Sequence, residues 1–145
     1  MDSVAKRISG SRVLRGAAAT YVEVYAKYQT DLGFLAPQGD GAIADNGGDA
    51  RFDVYLVDFA GQGDGNFQNA QCTGDNCPGY MVQENDFAGY AYPTPEDGIV
   101  TVSSHEYFHA VQAGYSARQG VNVTEGTAVW ATEQYQPALD DLEGF

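Results

Sequence analysis

The chain has only two histidines, and they stand four residues apart in the run His105-Glu106-Tyr107-Phe108-His109. The spacing asks for a helix. At 100° per residue His109 lies about 40° round from His105 and one turn along, so both imidazoles can reach one point, while Glu106 flanks that point at about 100°. Gln112, Ala113 and Ser116 continue the polar or small face. Tyr107, Phe108, Ala110, Val111 and Tyr115 make the opposite one. Such a helix buries its aromatic back and presents its histidines to a cleft. With two histidines placed at random, this spacing with a glutamate after the first arises roughly once in several hundred chains. Paired imidazoles on one helical face can share a metal ion, and a carboxylate beside them can touch a water on that metal. His105 and His109 are therefore candidate metal ligands and Glu106 a candidate general base. The competing reading is an ordinary helix whose histidines are solvated or satisfied in the core.

A zinc site wants a third protein ligand. No third histidine exists, and the two cysteines fall in a separate loop, so the ligand must be a carboxylate. Glu125, in the segment VTEGTAVWATE, is the first candidate. Gly120 breaks the chain between the two segments, so two roughly antiparallel helices can face each other. Thr124 is placed to cap the second helix. Val129, Thr132 and Gln136 share the stripe of Glu125, and Trp130 points away, into the core. Glu133 is the rival, about 80° round the same helix. Without a metal, Glu125 would be an ordinary acidic residue in a first turn, favoured by the helix dipole.

The remaining pattern predicts an α+β chain, a single catalytic domain over residues 1–145. Residues 11–31 carry apolar positions at helical spacing, including Ala17, Tyr21, Val24, Tyr25 and Tyr28, with Ser11 as N-cap and Gly33 just past the end. Residues 36–51 are a Gly/Asp-rich loop. RFDVYLVDFAG, apolar on both faces, reads as a covered central strand. Residues 61–79 read as a second loop. GYMVQENDFAGYAY gives one or two short strands, ended by Pro93 and Pro95. A short strand at Gly98–Val102 is expected to lead into a helix at 103–117, and a last helix to run from Thr124 to Gln136, before Pro137.

Charge narrows the partners. Seven Lys plus Arg against 20 Asp plus Glu leave a net charge of −13. That surface repels phosphate backbones and anionic membranes, so neither nucleic acid nor membrane insertion is expected. No apolar run is long enough to span a bilayer. The opening residues lack the apolar stretch of a signal peptide, and the chain stops soon after its last strong pattern, as a piece of a longer precursor would. Cys72 and Cys77 in CTGDNC can close a small disulfide ring, pointing to an oxidising compartment, or remain free thiols. No second cysteine pair exists for a zinc ribbon. Asp40, Asp45, Asp49, Asp53, Asp64 and Asp75 offer oxygen donors for a structural Ca²⁺, although the Gly-Ala-Ile-Ala that follows Asp40 breaks the EF-hand register. The Asn122-Val123-Thr124 sequon is read as coincidental.

HExxH followed by a Glu-Gly pair resembles the gluzincin clan of zinc metallopeptidases. Further segments resemble a group of secreted bacterial metalloproteases in that clan, known mainly from myxobacteria: Asp31-Leu32-Gly33-Phe34, DVYLVD from Asp53 to Asp58, Asn85-Asp86-Phe87-Ala88, HEYFHAVQ from His105 to Gln112, and EGTAVW from Glu125. The resemblance covers about residues 11–136. It implies zinc held by His105, His109 and Glu125, with Glu106 as general base in the hydrolysis of a protein or peptide substrate. It also implies a zincin-like fold: a backing helix, a mixed and mostly antiparallel sheet, an active-site helix and a glutamate helix. The expected enzyme is secreted and monomeric. There are three departures, the first a somewhat shorter spacing from His109 to Glu125 than in thermolysin-like gluzincins. Val129 stands where thermolysin-like enzymes place an acid that orients a histidine, which leaves Asp58, Asp86 and Glu133 as substitutes. No third histidine is present to stabilise an oxyanion, and Tyr115 and Tyr135 are the nearest tyrosines. The alternative is a zinc-binding extracellular module without catalysis.

Overall fold

A computed structural model describes residues 12–44 and 46–139. Helix α1 (Arg12–Tyr25) continues into a π-helical turn (Ala26–Asp31). Strands β1 (Val54–Val57), β2 (Gly65–Asn69) and β3 (Gly79–Glu84) follow, then helices α2 (Pro95–Tyr115) and α3 (Val121–Tyr135). The arrangement is α+β, as expected.

The first helix holds its predicted place, with a wider final turn. Leu32 donates to the Lys27 carbonyl and Phe34 to that of Tyr28, and Gly33 takes the positive φ of 77° that ends the helix. Ala17, Val24 and Tyr28 are buried, but Tyr25 is 49% exposed. The apolar stripe is narrower than the spacing suggests. The Ser11 cap lies outside the described residues.

The sheet runs β1-β3-β2. β3 is parallel to β1, with Val54 opposite Met81, and antiparallel to β2, with Phe67 opposite Met81. The sheet is thus evenly mixed rather than mostly antiparallel. The strand expected at the centre, β1, is an edge strand with Val57 36% exposed; its β-branched run suits any half-covered pleated surface. β2 lies within the stretch read as a loop. Gly-Asn-Phe-Gln-Asn has no apolar alternation, and its pairing with β3 makes it a strand.

The expected strand at Gly98–Val102 is the first half of α2. Thr94 caps the helix by accepting from the Asp97 N–H at 3.1 Å, Pro95 opens it, and Glu96 and Asp97 sit at its positive end. Ile99 and Val102 look strand-like by propensity, but packing against Ala17 and Phe87 decides their conformation. Farther along, Tyr107, Phe108 and Val111 join Val24, Tyr28, Ala128 and Ala131 in the main core. The α2 back is therefore buried as predicted, except for Tyr115, which is 46% exposed.

α3 starts at Val121, earlier than expected, with Gly120 as its N-cap; the Thr124 hydroxyl donates to the Val121 carbonyl instead of capping. Trp130 is 40% exposed, its ring edge-on to Phe34 and Phe108, so it borders the core rather than filling it.

Cys72 and Cys77 are bridged. Their ring closes the C-terminal end of α2: Cys77 N–H donates to the Ala113 carbonyl at 2.9 Å, the Asn76 amide donates to that of Gly114, and the Asp75 carbonyl accepts Ala117 N–H at 2.7 Å while its carboxylate pairs with Arg118. No helix among the described residues is long and apolar enough to cross a membrane.

Candidate metal centre

His105 and His109 stand on one face of α2 with their rings edge-on, centroids 4.8 Å apart. Their side chains are 19% and 16% exposed, so each is open to solvent over a limited area. Helix α3 crosses in front. Small and hydroxylated residues let it come close: Ala128 and Ala131 are fully buried, and the Ser104 hydroxyl meets that of Thr132 at 3.2 Å. The Tyr28 hydroxyl braces the same spot from the turn after α1 by donating to the Ser104 carbonyl.

This crossing brings Glu125 onto the imidazoles. Its Oε2 lies 3.1 Å from His105 Nε2, and its Oε1 lies 3.5 Å from His109 Nε2. Glu125 is the carboxylate of α3 that meets both rings; the rival Glu133 stands two turns farther along the helix. Ligands at about 2.0–2.1 Å in a tetrahedral zinc shell stand about 3.3–3.4 Å apart. The two separations, each to a different Glu125 oxygen, lie near that edge, so the donors gathered here suit a metal ion.

Glu106 closes the other side. Its Oε2 accepts from the Phe67 N–H of β2 at 2.9 Å. Its ligand oxygen and the two imidazole nitrogens lie within 4.8 Å of one another, the one such group of three among the described residues. Gly65 makes this approach achievable: a Cβ there would collide with Val102 Cγ1 and fall 3.5 Å from Glu106 Cγ. Burial holds the Glu106 carboxyl above the ordinary carboxylate range. The imidazoles of His109 and His105 and the Phe67 N–H oppose that shift, and Glu125 adds to it.

Behind His109 stands Gln112, its Oε1 2.8 Å from Nδ1. The sequence placed Gln112 on the metal-facing side, three residues after His109, but gave it no role; i,i+3 neighbours on a helix meet. Two of the acids proposed for orienting a histidine act elsewhere. Asp58 accepts the Ala60 N–H and Asp86 the Ala88 N–H, each closing a turn. The candidate tyrosines are also engaged: Tyr115 accepts the Leu35 N–H, and Tyr135 donates to Glu23. Phe67 contributes through its backbone, which no side-chain pattern announces.

The acidic loops gather no comparable cluster among the described residues. Asp49 pairs with Arg51 and Asp75 with Arg118, while Asp53 accepts from Tyr55 and Asp64 from Tyr92. Asp40 is buried, and Asp45 lies outside the described residues.

Compared with protein-family models, curated proteins and solved structures, the chain matches none.

Proposed function

We propose that this chain is a zinc-dependent endopeptidase of the gluzincin type, zincin-like in fold and secreted as a monomer. His105, His109 and Glu125 are its metal ligands. The observation that carries this reading is one carboxylate spanning two Nε2 atoms at 3.1 and 3.5 Å, with a second carboxylate close by. The disulfide supports an oxidising compartment.

Zinc, when bound, supplies Lewis acidity that acidifies water and polarises a carbonyl. The protein does the rest. The half-buried pair His105 and His109 keeps its nitrogens turned to the cleft, and Glu125 brings the negative charge that a dication needs. Glu106 takes a proton from the attacking water and returns it to the leaving amine. The Phe67 N–H fixes one of its oxygens, which leaves Oε1 for that transfer. Its burial makes the carboxylate a stronger base than a solvated one. β2, at the sheet edge beside Glu106, borders the cleft where an extended peptide would lie.

A second reading, a zinc-binding module without catalysis, draws on the tyrosines: the hydroxyls of Tyr115 and Tyr135 are both committed away from the centre. Metal analysis and peptide hydrolysis separate the two. An endopeptidase binds one zinc per chain, cleaves casein, and loses both properties in His105→Ala and Glu125→Ala. Zinc bound without cleavage supports the module. No zinc bound by the wild-type chain overturns both.

A further inference from the structure

Gln112 is 7% exposed, and its amide touches both halves of the centre. Its Nε2 donates to the Thr124 carbonyl at 2.8 Å and to the Thr127 hydroxyl oxygen at 2.7 Å. Thr127 in turn donates to the Val123 carbonyl at 2.6 Å, so its oxygen is left to accept. A carbonyl can only accept, so the Thr124 contact settles which end of the amide is nitrogen. The other end, Oε1, then faces His109 Nδ1 and has only lone pairs to offer. Nδ1 then carries a proton, and in the neutral ring this leaves the Nε2 lone pair free to face the cleft.

The same side chain ties the two helices together. Thr124 and Thr127 flank Glu125 on α3, whereas Gln112 and His109 belong to α2. One amide therefore fixes the tautomer of a ligand on one helix and the position of the ligand-bearing turn on the other. Glu125 itself is 54% exposed and gains little constraint from packing. Its placement depends on the turn that carries it.

We propose that Gln112 is a positioning residue that selects the metal-binding tautomer of His109 and sets the distance between the ligands of α2 and α3. This rests on the zinc-site reading above. The acceptor and donor halves of the amide carry separable roles, and substitution can pull them apart. Gln112→Ala removes both. Gln112→Glu keeps an acceptor behind His109 but removes both donors. Thr127→Val removes one clamp contact and leaves His109 alone.

Zinc affinity, measured by competition with a chromogenic chelator, should fall about 10–100-fold in Gln112→Ala. In Gln112→Glu, which keeps the acceptor but loses the clamp, it should fall less than in Gln112→Ala, while the thermal midpoint stays low. Thr127→Val should lower the midpoint and leave the His109 tautomer unchanged. In the zinc-free protein, long-range ¹H–¹⁵N correlation should show His109 protonated at Nδ1 in wild type and Gln112→Glu, and a tautomer mixture in Gln112→Ala. Wild-type zinc affinity and an unchanged tautomer in Gln112→Ala overturn the proposal. If Gln112→Ala does not fold, Gln112→Glu decides: loss of zinc equal to that of His109→Ala overturns it. If the wild-type chain binds no zinc, the zinc-site reading fails on its own, and the tautomer measurement still tests the pairing of Gln112 with His109.

Discussion

The two walls of the centre are built differently. On the α3 side a side chain, Glu125, reaches across from a neighbouring helix and remains half-exposed; on the β2 side a backbone N–H, from Phe67, holds a largely buried Glu106. A side-chain wall can hold an ion but tolerates movement. A backbone wall is fixed by strand pairing and limits where the base can point. On the proposed reading, this difference assigns metal affinity to the helical side and reactivity to the strand side.

The sharpest way to break that division is Glu106→Gln. The amide keeps the volume and removes the base, so turnover should fall about 10²–10⁴-fold with zinc content unchanged. Equal losses of zinc and turnover would place Glu106 among the ligands and abolish the distinction. Gly65→Ala probes the strand wall alone. Its new methyl would collide with Val102 Cγ1, and overpacking of this kind costs about 1–3 kcal/mol. Chemical denaturation should record that loss, with turnover reduced and zinc affinity retained; weaker zinc binding would mean that the walls act as one.

The helical wall was the legible one. Two histidines four apart, and a glutamate after a glycine break, name their chemistry because metal binding needs particular side chains at helical spacing. Those three residues do come together. The strand wall was illegible for a physical reason: its working group is a peptide N–H, common to every residue but proline, and Gly-Asn-Phe-Gln-Asn has no alternation to betray a strand. The same limit explains the first half of α2. Ile99-Val100-Thr101-Val102 favours a strand by local preference, and only the cap at Thr94 and contacts with Ala17 and Phe87 reverse it. β1 was recognised as a strand but put at the centre, because hydrophobic density does not distinguish a covered central strand from an edge strand.

Two smaller effects test whether support far from the walls reaches them. Opening the Cys72–Cys77 bridge by a double serine substitution should cost about 2 kcal/mol by the loop-closure relation for so short a ring. The loss should be visible in the denaturation midpoint, with zinc affinity unaffected. Thr94→Ala removes the N-cap of α2 and should cost about 1 kcal/mol, with no change in zinc affinity or turnover. If either substitution weakened zinc binding, the ends of α2 would belong to the metal-binding unit.

The cysteine ring bonds to the last turn of the histidine helix, yet its two sulfurs are only five residues apart in sequence. So short a cycle can form without help from the rest of the chain. It then meets the helix already shaped, and much of the entropy of ordering that segment has been spent before docking. Reduction would return that entropy and leave the carbonyls of Ala113 and Gly114 to find solvent partners, so the helix end should fray in a thiol-rich compartment while its histidine turn, anchored by the aromatic core, holds.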